Sequence, residues 1–163
     1  MKIKAFSLSI IILVVMFGGI TLTSALNLWQ TTTTKQAATF KEGEFSGTAN
    51  PADIRGSFTL NDISKQFEVP LEDLGQAFAG KDKSLYAAFK AKDVEAMYTA
   101  AAAEGKEVGT GSIRLFVALY KGLPYEITEE SYLPQPAVDI LKAKAKLTAE
   151  QLTYLDSHGV PAP

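Results

Sequence analysis

The sequence predicts a small all-α domain with a helix-turn-helix element, carried on a single N-terminal transmembrane helix. Three observations lead there. Residues 5–26 form a run of 22 uncharged, mostly apolar residues, preceded only by the charges of Lys2 and Lys4. Beyond residue 54, apolar side chains recur at helical spacing between capping residues and glycine stops. Alternating, strand-like runs are scarce. The expected organisation is an anchor over residues 1–29, a juxtamembrane connector over 30–50 and an extracytoplasmic helical domain over 51–163.

The anchor comes first. As a helix, 22 residues span about 33 Å, enough for a bilayer core of about 30 Å. Trp29 falls where an amphipathic ring meets the headgroups, which makes it the expected membrane-interface residue. A cleaved signal peptide is the alternative, with residues 10–17 as its apolar region and Thr23-Ser24-Ala25 as its cleavage site. The run is longer than an ordinary signal core, and Thr23 stands where alanine is preferred, so a retained anchor is expected. Lys2 and Lys4 hold the N-terminus on the cytoplasmic side of the cell membrane and send the domain outside.

The connector opens with four threonines, Thr31 to Thr34, which are poor helix formers. Residues 41–51, rich in Gly, Ser, Thr and Asn, read as an irregular lead-in. Thr59 with Asp62 then makes a capping box for a helix whose Leu60, Ile63 and Phe67 share one face. Val69-Pro70 breaks it, and Pro70 suits the first turn of a second helix with Leu71, Leu74 and Phe78 inward. A helix from Asp82 or Ser84 through Phe89 follows. Asp93 caps the next, over residues 94–104, and Gly105 ends it.

Gly109-Thr110-Gly111 reads as a turn. Ser112 is the expected cap of a helix over residues 113–121. That helix is apolar nearly all round, so it is placed centrally, and Gly122 stops it. Residues 124–136 form a loop with Tyr125, Tyr132, Pro134 and Pro136. An amphipathic helix follows over 137–146. Thr148 with Gln151 is a second capping box, opening a last helix toward Ser157, with His158 and Gly159 at its end.

Composition narrows the chemistry. There is no cysteine, which removes disulfides, thiolate catalysis, iron–sulfur ligation and c-type haem attachment from this chain. One histidine, His158, and three methionines leave few soft metal ligands. Since Lys2 and Lys4 precede the apolar run, 14 basic residues face 18 acidic ones after it, a net charge of −4. An acidic body binds phosphate backbones poorly, and a second helix carrying Glu72 and Asp73 suits DNA no better, so no nucleic-acid partner is expected.

Several residues invite a functional reading beside a plainer one. Arg55 and Arg114 each follow an isoleucine. Either grips a partner carboxylate or lays its stem on the core, and Arg114, on the central helix, is expected to need an internal counter-charge. His158 reads as a helix-end charge. Glu126, Glu129 and Glu130 read as a solvated acidic turn, and Glu68, Glu72 and Asp73 as surface carboxylates. No nucleophile elbow or phosphate loop is present, and no catalytic, cofactor or metal residue is assigned. The aromatic loop is the best docking surface, since Tyr offers contact area at small entropic cost. The expected partner-interface residues are Tyr125, Tyr132 and Leu133, together with Arg55.

Thr59-Leu60, Ile63, Phe67 and Val69 resemble the first half of a LysM peptidoglycan-binding module. Ala79-Gly80 stand where that family has Asn, and no second strand is expected. A longer resemblance, over about two thirds of the chain, rests on Ile54-Arg55-Gly56-Ser57, Thr59-Leu60, Val69-Pro70-Leu71 and Leu74. It continues through residues 112–122 and 147–155. These resemble a helical module that accompanies polyferredoxin-like 4Fe-4S and cytochrome-b-like bacterial membrane redox proteins. That resemblance implies a non-catalytic accessory subunit without a cofactor of its own. Its implied partners are the membrane and integral subunits holding haem or iron–sulfur clusters. The LysM-like resemblance implies a membrane-anchored module for cell-wall glycan.

Overall fold

The computed structural model describes residues 12–15, 17–18, 35–127 and 131–163. The chain divides into two units, Met1–Thr34 and Lys35–Pro163. In the first, residues 12–15 and 17–18 are helical, and Ile12, Leu13, Val14, Val15 and Phe17 are exposed. Among the described residues no helix is long and apolar enough to cross a membrane. Most of the expected span, and Trp29 with it, lies outside the described residues.

The second unit is mostly helical. Its helices are α1 (Leu60–Phe67), α2 (Leu71–Phe78), α3 (Asp93–Met97), α4 (Thr99–Ala103), α5 (Thr110–Lys121), α6 (Gln135–Lys144) and α7 (Ala149–Ser157). Both predicted capping boxes form. The Thr59 side chain accepts from Asp62 N while the Asp62 carboxylate accepts from Thr59 N, and Thr148 with Gln151 does the same. Pro70 sits at the N-cap of α2, as its fixed φ favours. Gly122 ends α5 in the left-handed region, φ 64°, where a side chain is strained.

Three elements differ from expectation. The helix through Phe89 shrinks to a 3-10 turn, Lys83–Leu85, capped by Asp82. Beyond it the chain straightens to pair with the segment before α1: Leu60 N donates to Phe89 O (2.8 Å), Ala91 N to Phe58 O (2.9 Å) and Lys92 N to Gly56 O (3.0 Å). An antiparallel ribbon therefore brackets the α1–α2 pair. The helix expected over 94–104 is broken at Tyr98, whose buried side chain interrupts it between α3 and α4. Finally, α5 starts at Thr110 rather than after Ser112. Ser112 lies one turn inside, where its Oγ accepts from Gly109 N (3.0 Å).

The core joins α2 to α6 most extensively, with α1 against α2 and α5 against α6. Phe116 of the central helix meets Phe78 edge to face, centroids 5.3 Å apart at 86°, a geometry the ring quadrupole favours. Ile54, Leu60, Ile63, Leu74, Ile113, Leu115 and Leu141 are fully buried around them. Two short strands, β1 (Leu133–Pro134) and β2 (Gly159–Val160), pair in parallel and tie the C-terminus to the start of α6.

Residues 35–50, read as connector, are fastened to the domain. Ala37 N donates to Gln66 Oε1 and Ala38 N to Asp53 Oδ2, both at 2.7 Å, and Lys35 pairs with Asp62 at 3.3 Å. Phe40 N donates to Thr48 O and Gly47 N to Phe40 O, both at 2.9 Å, across the turn that contains Phe45.

Candidate functional site

Arg114 organises one corner of the surface. It rises from the central helix, and its Nε donates to the Ile54 carbonyl at 2.8 Å. The Tyr125 hydroxyl lies within electrostatic reach of its guanidinium. Burial raises the Tyr125 phenol, and the neighbouring cation partly opposes that. In place of the counter-charge expected for Arg114 stands the Ile54 carbonyl. A neutral acceptor suffices because Arg114 is only half-buried and its remaining donors can be solvated.

Tyr125 then lines an open groove of about 600 Å³ with Phe40, Asn50, Ala52, Pro124 and Glu126. The hairpin before α1 supplies Phe40 and Asn50, so this groove needs residues 40–50 folded against the loop after α5. Arg55 is exposed beside Ile54, held loosely by Asp53 at 3.4 Å. An aromatic floor and one exposed carboxylate make the groove a surface that suits polar docking.

Tyr132 and Leu133 do not join that groove. Leu133 is fully buried, which removes it as an interface residue. The backbone explains why: Leu133 N donates to His158 O (2.9 Å) and Tyr132 N to Glu107 O (3.0 Å), while Ser112 Oγ donates to the Tyr132 carbonyl. Clamped on both sides, the segment turns Leu133 inward. Tyr132 is half-buried against His158, centroids 4.9 Å apart, and His158 stacks on Tyr154 at 3.9 Å. The imidazole Nδ1 lies 2.8 Å from Ser157 Oγ and 3.0 Å from the Tyr154 carbonyl, so it closes the end of α7 as expected.

Asp73 is the largest correction. Read as a surface carboxylate, it is buried at 4 % exposure. Tyr120 Oη donates to Oδ2 (2.7 Å) and Lys144 Nζ to Oδ1 (2.6 Å), joining α2, α5 and α6 at one point. Burial and this hydrogen bond push the Tyr120 phenol up to about 12. Glu72 is exposed as expected and pairs with Lys83 at 2.7 Å, and Glu68 pairs with Lys121 at 3.4 Å. Glu126 is exposed, whereas Glu129 and Glu130 lie outside the described residues. Among the described residues, no three His, Cys, Asp or Glu side chains are grouped to hold a metal ion.

A second cavity, of about 710 Å³, was not foreseen. It lies between the end of α2, the Lys83–Leu85 turn, the α3–α4 break and the C-terminal tail. No periodicity marks it, because its walls come from five separate stretches of chain. No family model, curated protein or solved structure matches this chain.

Proposed function

We propose that this chain is a non-catalytic, single-pass accessory subunit of a bacterial membrane electron-transfer complex. Residues 5–26 anchor it, Lys2 and Lys4 stay on the cytoplasmic side, and the helical body caps the complex outside. Its partners in this reading are integral subunits that carry haem or iron–sulfur clusters. The observation that carries it is sequence-borne: a long charge-free run followed by a cysteine-free body that resembles modules of cluster-bearing membrane proteins. The Tyr125 groove supports it by offering a docking face. Tethering raises the effective concentration of such a face near its partner, so a modest interface suffices.

The test is affinity purification of the full chain from its native membrane in mild detergent. Stoichiometric co-purification of subunits with haem or iron–sulfur absorbance is the expected result, and Tyr125→Ala should weaken it. Protease added to intact cells should cut the body. A body spared in intact cells, or a chain that emerges alone, overturns the proposal.

One observation favours a second reading. The ribbon formed by residues 56–60 and 89–92 supplies a second extended segment after the α1–α2 pair, which the LysM-like reading lacked at the sequence level. A membrane-anchored glycan-binding module would pellet with purified cell wall without redox subunits.

A further inference from the structure

The second cavity is lined by a polar group that no described protein group engages. Tyr98 is 5 % exposed, and its hydroxyl makes no hydrogen bond to the described residues. No buried polar side-chain atom in the described structure is orphaned, so the hydroxyl keeps its small exposure. Tyr98 is one of the residues that line the cavity. Tyr86, on the same wall, is already committed, its hydroxyl donating to the Gly80 carbonyl at 2.8 Å. Ala77, Phe78, Met97 and Pro136 give the walls an apolar stretch, and Gln76 with the terminal Ala162-Pro163 completes them. Two lysines stand at the rim. Lys83 is paired with Glu72, while Lys81 has no ion pair or hydrogen bond among the described residues.

We infer that this cavity binds a long-chain carboxylate, its chain along Ala77, Phe78 and Met97 and its head between the Tyr98 hydroxyl and Lys81. A volume of about 710 Å³ lies within the range of small-molecule sites. Walls of this kind, with few convergent polar groups, select an apolar body and orient one polar end. A free cation and an unspent donor select an anionic acceptor over an alcohol or an ammonium. The site shares no residue with the Tyr125 groove, so it stands or falls independently of the proposed assembly role.

The experiment uses the full chain in phosphatidylcholine nanodiscs and a diazirine-bearing decanoate as photoprobe, with crosslinks mapped by mass spectrometry. Expected is saturable labelling of peptides containing Phe78 or Met97, competed by decanoate and not by decanol. At sub-saturating probe, Tyr98→Phe lowers that labelling about tenfold, the effect of losing one hydrogen bond to a charged acceptor. Lys81→Gln, an exposed substitution that leaves the core untouched, lowers it about threefold. Competition by decanol equal to that by decanoate overturns the proposal. So does labelling unchanged in both variants, or confined to residues 5–26.

Discussion

Tyr120 and Lys144 reach Asp73 from sites 47 and 71 residues away in the chain. Asp73→Asn keeps an acceptor for the phenol but removes the charge, and should cost about 2 kcal/mol in urea unfolding. Tyr120→Phe should cost about 1 kcal/mol at neutral pH. The phenol, pushed up to about 12 in the fold against an ordinary 10.0, keeps a proton that the unfolded chain has lost. Its contribution to stability is therefore whole below pH 10 and is lost as pH rises toward 12. The gap between wild type and Tyr120→Phe should close over that window. A gap that stays constant from pH 8 to 12 would show that the bond is not linked to stability. Gly75 makes a steric case. A Cβ there would lie 2.0 Å from the Tyr86 ring. Gly75→Ala should lower stability by about 2 kcal/mol by displacing that ring, although alanine is the better helix former.

At the scale of elements, the two capping boxes are the clearest local devices. Each satisfies two orphan N–H groups at a helix start by a reciprocal pair three residues apart. Thr59→Ala and Thr148→Ala should each cost about 1 kcal/mol, and the double variant should be additive, since the two sites share no partner. Thermal melts of the three variants check this. Burial works to raise the Asp62 carboxyl, but its bonds to Thr59 and Lys35 outweigh it and hold the group below its ordinary value. That contribution is present above the unfolded value and lost as pH falls, so the Thr59→Ala penalty should shrink in acid. The caps were legible because both partners lie within one turn. The α3–α4 break was not. Residues 94–104 carry strong helix formers and a good stop at Gly105, and only the burial of Tyr98 beside a cavity built from distant chain interrupts them.

For the whole molecule, the domain begins before its first helix. Residues 35–50 bond Gln66, Asp53 and Asp62 and provide part of the Tyr125 groove. A fragment starting at Pro51 should unfold at lower urea than one starting at Lys35, by about 2 kcal/mol for the ion pair and hydrogen bonds it loses. It should also lose the groove. Equal midpoints would mean that this segment is a passive lead-in. The Gly, Ser and Asn of residues 41–51 read as irregular chain because turns and linkers share a composition, and only the partner across the turn separates them.

What the sequence determined by itself was local. It marked the helix starts at Thr59, Pro70 and Thr148, the stop at Gly122, the inward stripes of α1 and α2, and the placement of residues 113–121 at the centre. Each depends on neighbours within four residues, where spacing is fixed by helix geometry. Tertiary structure alone decided that Asp73 is buried, that Leu133 faces the core while half-buried Tyr125 lines an open groove, and that residues 56–60 pair with 89–92. It also decided that Tyr98 lines a cavity. These outcomes depend on side chains and backbone groups brought together from tens of residues apart, and the exposure of a polar residue follows from those partners rather than from its own type.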